Sequence, residues 1–202
     1  MINKANMEAY IYALESVDLD SIGKIADDVA DTVEAGGNIL VAGNGGSHAI
    51  AQHLSCDLIK AVGFKGLCCN VSCLTDNTAI LTAISNDIGY NDVLSLQVEQ
   101  LANMGYGAKD MLIAFSVSGR SRNIIQALNV ARLRSIKTVS IAGLAFAQPN
   151  PTHSPEAQWR WVRVSTGHTS DSPIHYYTCE TAFSAIAHEI ARLFHIRMGN
   201  YA

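Results

Sequence analysis

Short apolar runs that stop on glycine constrain this chain more than any other feature. "NILVAG" (38–43), "DMLIAFSVSG" (110–119) and "KTVSIAG" (137–143) are almost continuously apolar, and each ends on glycine. A strand with one wet face alternates apolar and polar residues, whereas a strand of a parallel sheet covered on both faces can be apolar throughout. "KGLCCNVS" (65–72) reads as a further strand and "RWVRVS" (160–165) as a fifth. Between these runs the apolar spacing changes to threes and fours, which predicts helices over 47–59, 76–84, 91–104 and 121–133. Strand and helix in alternation predict an α/β fold, a parallel sheet flanked by helices.

The ends of the chain read as helical. Ile11, Leu14, Val17, Leu19, Ile22, Ile25, Val29 and Val33 predict one long or broken helix over 11–35, stopped by Gly36 and Gly37. Ser172 as N-cap and Pro173 at the first helical position open a final helix running to about Met198. The stretch 145–159 holds three of the four prolines and reads as an irregular loop. No repeat or linker divides the 202 residues, so a single domain over 1–202 is expected.

Composition removes several classes of function. The formal net charge of −4 offers no general attraction to nucleic acid. No run approaches the roughly 18 apolar residues of a membrane span, and the first twenty residues lack the apolar core of a signal peptide. The five cysteines (Cys56, Cys68, Cys69, Cys73, Cys179) form no CxxC pair. They read as small buried thiols in a reducing compartment, and a cytoplasmic location is expected.

Two strand-to-helix turns have the make-up of an anion cradle. One is Gly43-Asn44-Gly45-Gly46-Ser47 and the other Ser116-Val117-Ser118-Gly119-Arg120-Ser121. Glycine lets backbone amides approach a ligand, serine adds hydroxyl donors, and a helix N-terminus supplies partial positive charge. Neither turn matches GxGxxG or the GxxxxGK[ST] loop. Together they point to phosphate recognition. His48, in the first turn, either touches the ligand or caps the helix.

A few residues on, His53 and Asp57 stand at i and i+4 and share a helix face. That spacing suits two ligands of one metal, an acid and a base on one substrate, or a plain surface hydrogen bond. His153, His168, His175 and His195 read as packing or surface histidines.

"AGNGGSHAIAQH", "LTDNTAILTAISNDIGYND" and "SVSGRSRNIIQAL" resemble the sugar isomerase (SIS) domain and, within it, the phosphoheptose isomerases. The resemblance runs from about Ile11 to Gly143 and resumes in the last helix. It implies a single SIS domain with a five-stranded parallel sheet, long terminal helices, and a homotetramer with sites between subunits. The activity implied is aldose–ketose isomerisation of sedoheptulose 7-phosphate through an enediol. Carried over by motif, Ser47, Ser116, Ser118 and Ser121 bind the substrate phosphate, and Asn44, Gly45, Asp76, Asn86 and Asp87 line the sugar pocket. Asp57 and His188 take the catalytic positions, and zinc is implied on His53, Asp57, Glu180 and His188.

The chain departs from the family pattern at three places. Asp57 stands for glutamate, Glu180 stands for glutamine, and "CETAFS" replaces the Gln-Glu-x-His run. Glu180 and His188 are also eight residues apart, about 12 Å along a straight helix, which strains their reach to one ion. Some SIS domains instead bind sugar phosphates as regulators or act as tetrameric protein-interaction factors in replication initiation. The carboxylate at Asp57 favours an enzyme.

Overall fold

The structure, a computed structural model, describes residues 4–143, 159–169 and 172–199. Apart from Trp159, the proline-rich loop expected at 145–159 lies outside the described residues.

Among the described residues five parallel strands form one sheet: β1 (Ile39–Ala42), β2 (Val71–Cys73), β3 (Met111–Ser116), β4 (Lys137–Ala142) and β5 (Trp159–Arg163). Their spatial order is β2-β1-β3-β4-β5, and every pairing is parallel. Side chains alternate across the sheet with the period of two that a pleated strand imposes. Ile39, Val41, Met111, Ile113 and Phe115 point into one core, and Leu40, Ala42, Leu112 and Ala114 into the other. All six residues of β3, the middle strand, are buried, which explains its unbroken apolar run.

Among the described residues seven α-helices cover the two faces: α1 (Lys4–Glu15), α2 (Leu19–Glu34), α3 (Gly46–Phe64), α4 (Thr78–Asp87), α5 (Ser95–Asn103), α6 (Arg122–Leu133) and α7 (Pro173–Arg197). Helices α2, α3 and α7 share one core with the sheet, and α4, α5 and α6 share the other. The N-terminal helix is broken: Asp18 ends the link after α1, and its carboxylate accepts from the amides of Asp20 and Ser21 to cap α2. Ser172 takes the extended N-cap conformation ahead of Pro173, without capping through its side chain.

Strand β2 is only three residues long and begins after the cysteine pair of "KGLCCNVS". All five cysteines are free, but Cys56 and Cys68 are exposed, so the expectation of buried thiols holds fully only for Cys73 and Cys179. Among the described residues no helix is long and apolar enough to cross a membrane.

The edge of the sheet away from the ligand turns is held by polar contacts. The fully buried Asp110 carboxylate accepts from the Asn38 amide at 2.8 Å, the Asn38 side chain at 2.7 Å and the Gly107 amide at 2.6 Å. This ties the segment before β1 to the start of β3 and keeps the two strands in register. On the far side, Arg160 of β5 pairs with the buried Asp28 of α2.

Candidate functional site

In a sheet of this order the chain reverses its direction of winding between β1 and β3, and ligands collect beyond the carboxyl ends of those two strands. The serine turns occupy that position. The first leads from β1 into α3. Gly43 is required there, because a Cβ on it would stand 2.3 Å from the Ser47 carbonyl oxygen. Gly45, the N-cap of α3, takes φ +56°, and no side chain caps the helix among the described residues. Uncapped N-terminal amides are donors without an intrahelical partner.

The second turn leads from β3 into α6. Gly119 at φ +61° donates its amide to the Ser116 carbonyl at 3.1 Å. Ser116 donates to the Ser121 hydroxyl at 3.3 Å, and the Arg120 amide donates to Ser118 Oγ at 3.1 Å. The two turns face one cleft, lined by Asn44, Ser47, Ser116, Ser118 and Ser121 together with Phe115 and Val117. Ser47 and Ser116 are buried at its base.

Two residues of α7 complete the cleft, Tyr176 and Glu180. The Glu180 carboxylate lies on the bare backbone of Gly46: a Cβ there would be 2.3 Å from Glu180 Oε1. Burial holds the Glu180 carboxyl above the usual carboxylate range. An acidic group therefore already sits at the N-terminus of α3, where an anionic ligand would bind.

Asn44 has a positioning role that its motif does not reveal. It exchanges two side-chain hydrogen bonds with the buried Asn123 of α6, and its Oδ1 also accepts from Tyr90 Oη at 2.7 Å. The first turn, the second turn and the segment after α4 are thus joined at one amide. Sequence reasoning missed Asn123, Tyr90 and Tyr176. The available signal was an asparagine in the first helical turn after "SGRS", a poor helix former with nothing local to cap.

Helices α3 and α7 pack side by side and bring together residues 135 positions apart. His53 Nε2 lies 3.0 Å from His188 Nε2 and 3.3 Å from Asp57 Oδ2. The rings meet edge to face, with centroids 4.8 Å apart. Ile186 and Ile190, each about 200° around α7 from His188, are buried in the core, which leaves His188 on the other face, where it meets His53 of α3. Donor atoms on a tetrahedral ion bound at zinc distances stand about 3.3 Å apart. The His53–His188 and His53–Asp57 pairs match that spacing, all three donor atoms lie within 4.8 Å of one another, and three ligands leave a fourth position for substrate.

Glu180, expected as a fourth ligand, is not in this group. The eight-residue rise along α7 carries it to the serine cleft instead. Asp76, Asn86 and Asp87 do not line the cleft either. Asp76 accepts from Gln52 Nε2 at 2.8 Å, and Asn86 donates to Asp87 at 2.8 Å on the exposed end of α4. None of the residues of α4 is buried, so nothing in the fold draws its end toward the cleft.

The sheet order and the cleft place the chain among doubly wound α/β proteins whose ligand site lies at the switch point. More narrowly, the chain belongs to the SIS domain family, whose model matches residues 4–143. A phosphoheptose isomerase of Akkermansia muciniphila is 39% identical over 126 residues, 62% of this chain and 63% of that protein. One from Aliarcobacter butzleri is 40% identical over 146 residues, 69% of this chain and 71% of that protein. The chain thus spans less than two thirds of several curated relatives, 63% of the Akkermansia protein and 61% of one from Burkholderia pseudomallei. Among solved structures, phosphoheptose isomerase GmhA from Neisseria gonorrhoeae superposes with a TM-score of 0.76 at 26% identity, covering 94% of this chain and 96% of that one. The family match stops at 143 and so does not reach α7 with its Tyr176, Glu180 and His188.

Proposed function

We propose that the chain is an aldose–ketose isomerase of phosphorylated sugars, with sedoheptulose 7-phosphate as substrate. The observation that carries this reading is the line from cleft to His–Asp–His group along two paired helices. From Ser47 to His53 on α3 is about 9 Å of rise, and from Glu180 to His188 on α7 about 12 Å. An open-chain seven-carbon sugar with a terminal phosphate bridges such a span. The serines hold the phosphate, and that binding energy orients the reacting end. The phosphoheptose isomerases among the relatives support the same substrate.

At the reacting end, the Asp57 carboxylate takes the proton from the carbon beside the carbonyl, and His188 protonates the carbonyl oxygen to form the enediol. Reversing both transfers at the neighbouring carbon and oxygen gives the aldose, with no net gain or loss of protons. His188 meets His53 through Nε2, which leaves Nδ1 for exchange with a substrate oxygen. A zinc-class ion held by His53, Asp57 and His188 would add Lewis-acid polarisation of the carbonyl. The homotetramer belongs with this reading: the exposed Asn86 and Asp87 of α4 would complete the cleft of a neighbouring copy.

The test is proton exchange in heavy water. The full chain is incubated with sedoheptulose 7-phosphate, with zinc or with a chelator, and followed by NMR. Deuterium entering at the carbon beside the carbonyl supports the isomerase. Absence of exchange across ketose phosphates of several lengths, with thermal stabilisation by the same sugars, would establish the regulator or interaction-factor reading instead.

A further inference from the structure

A second group of ligand-type side chains lies on another side of α3. His48, Cys73 and Asp76 each place a donor atom within 4.8 Å of the others. His48 is in the first turn of α3, Cys73 closes β2, and Asp76 follows three residues later. His48 and His53 are five residues apart, about 140° around the helix, so this group does not merge with the first.

The donor set is an imidazole, a thiol and a carboxylate. Cys73 Sγ stands 3.8 Å from His48 Nδ1, close to the roughly 3.6 Å that separates sulfur and nitrogen on one tetrahedral zinc-sized ion. The Thr75 hydroxyl lies against both, 3.2 Å from Cys73 Sγ and in hydrogen-bond contact with His48 Nδ1. Outside the group, Gln52, one helical turn after His48, donates to Asp76 Oδ1 at 2.8 Å and fixes that carboxylate. Such outer contacts orient ligands in built metal sites. Cys73 is buried while Asp76 is exposed, so the group runs from the core to the surface.

We propose that His48, Cys73 and Asp76 form a second cation site, for a thiophilic divalent metal of the zinc class, which clamps the end of β2 to the first turn of α3. The thiol surrenders its proton to solvent as the sulfur–metal bond forms, and the Thr75 hydroxyl withdraws from the donors or becomes a neutral ligand. The clamp acts on the weakest part of the sheet, since β2 is a three-residue edge strand paired only with β1. A soft thiolate in the set distinguishes this site from the His53, Asp57 and His188 group, which contains no sulfur.

The experiment uses cobalt(II) as a coloured stand-in for zinc on the reduced full chain. A thiolate-to-cobalt charge-transfer band is expected in the near ultraviolet, lost in Cys73→Ser and in His48→Gln and retained in His53→Ala. Gln52→Ala is expected to weaken the cobalt titration by about 10-fold or more. If Cys73→Ser does not fold, His48→Gln decides. A titration without the band, or a band that survives His48→Gln or a folded Cys73→Ser, would overturn the site and leave a hydrogen-bonded thiol, hydroxyl and imidazole. The band is read without substrate, so its absence leaves the isomerase reading untouched, and absence of isomerase activity leaves the band untouched.

Discussion

Asn44 and Asn123, 79 residues apart, exchange two side-chain hydrogen bonds of 3.0 and 2.8 Å, and that reciprocal pair joins the two ligand turns. Each turn alone is a common strand-to-helix connection. Locked together, they present Ser47 of one and Ser116, Ser118 and Ser121 of the other to the same cleft.

Breaking that pair should therefore injure both stability and the cleft. Asn123→Ala leaves Asn44 Nδ2 without its acceptor while Tyr90 still donates to Oδ1, and it should cost about 1–3 kcal/mol in urea denaturation. Tyr90→Phe removes one bond at the same oxygen and should cost about 0.5–1.5 kcal/mol. Both variants should also show less thermal stabilisation by inorganic phosphate. An Asn123→Ala protein with unchanged phosphate stabilisation would show that the amide pair does not shape the cleft.

Asp57 tests the chemistry apart from the binding. Asp57→Asn keeps the size of the side chain but removes the base, and should lower deuterium incorporation by about 10²–10⁴-fold. Thermal stabilisation by inorganic phosphate should stay unchanged, because the serine turns lie at the N-termini of α3 and α6, away from Asp57. Normal exchange in this variant would remove Asp57 from the mechanism.

Glu180 should impose a pH dependence on anion binding. Its folded-state carboxyl lies above the ordinary range because it is partly buried, so the folded protein favours the protonated form. Its contribution to stability is thus full below the ordinary carboxylate range and is lost as pH rises through the raised folded value. Glu180→Gln should stabilise the protein at neutral pH, with the gain disappearing in acid. Sulfate, whose charge is constant over this range, should stabilise the wild type more as pH falls and Glu180→Gln equally throughout. Thermal melts over a pH series with and without sulfate read both effects, and a flat wild-type response would exclude Glu180 from the anion site.

His175 should act in the opposite sense. The ring is 1% exposed, shares a 2.7 Å hydrogen bond with the Thr166 hydroxyl, and is held below the ordinary imidazole value of 6.5 by burial, with a smaller push from His168. The unfolded chain therefore takes up a proton before the folded one does. Stability from this residue is full above 6.5 and is lost as pH falls through the lowered folded value. His175→Gln should flatten that part of the stability profile, as read by denaturant midpoints from pH 7 (about neutral) downward.

Strands and most helices were legible because burial writes them directly into residue order. Runs covered on both faces lose their alternation, as β3 does, and helices keep one apolar stripe, as α7 does with Ile186 and Ile190 flanking His188. The serine turns were legible for a local reason as well: Gly43 must be glycine because the Ser47 carbonyl oxygen occupies the space of a Cβ. Less legible were features set by competition between neighbours, such as the break that Asp18 makes between α1 and α2, or the late start of β2.

By itself, then, the order of residues determined an α/β sheet, two serine-bearing turns at its edge, and a histidine and carboxylate on one face of α3. Those properties depend on local backbone geometry and on a periodicity of two or 3.6 residues. Only the tertiary structure decided which of these groups meet. Packing α3 against α7 set His188 beside His53 and Asp57, while the rise of the same helix carried Glu180 away to Gly46. Side-chain meetings across 135 residues of chain are fixed by how two helices pack on a sheet, and no local periodicity encodes that distance.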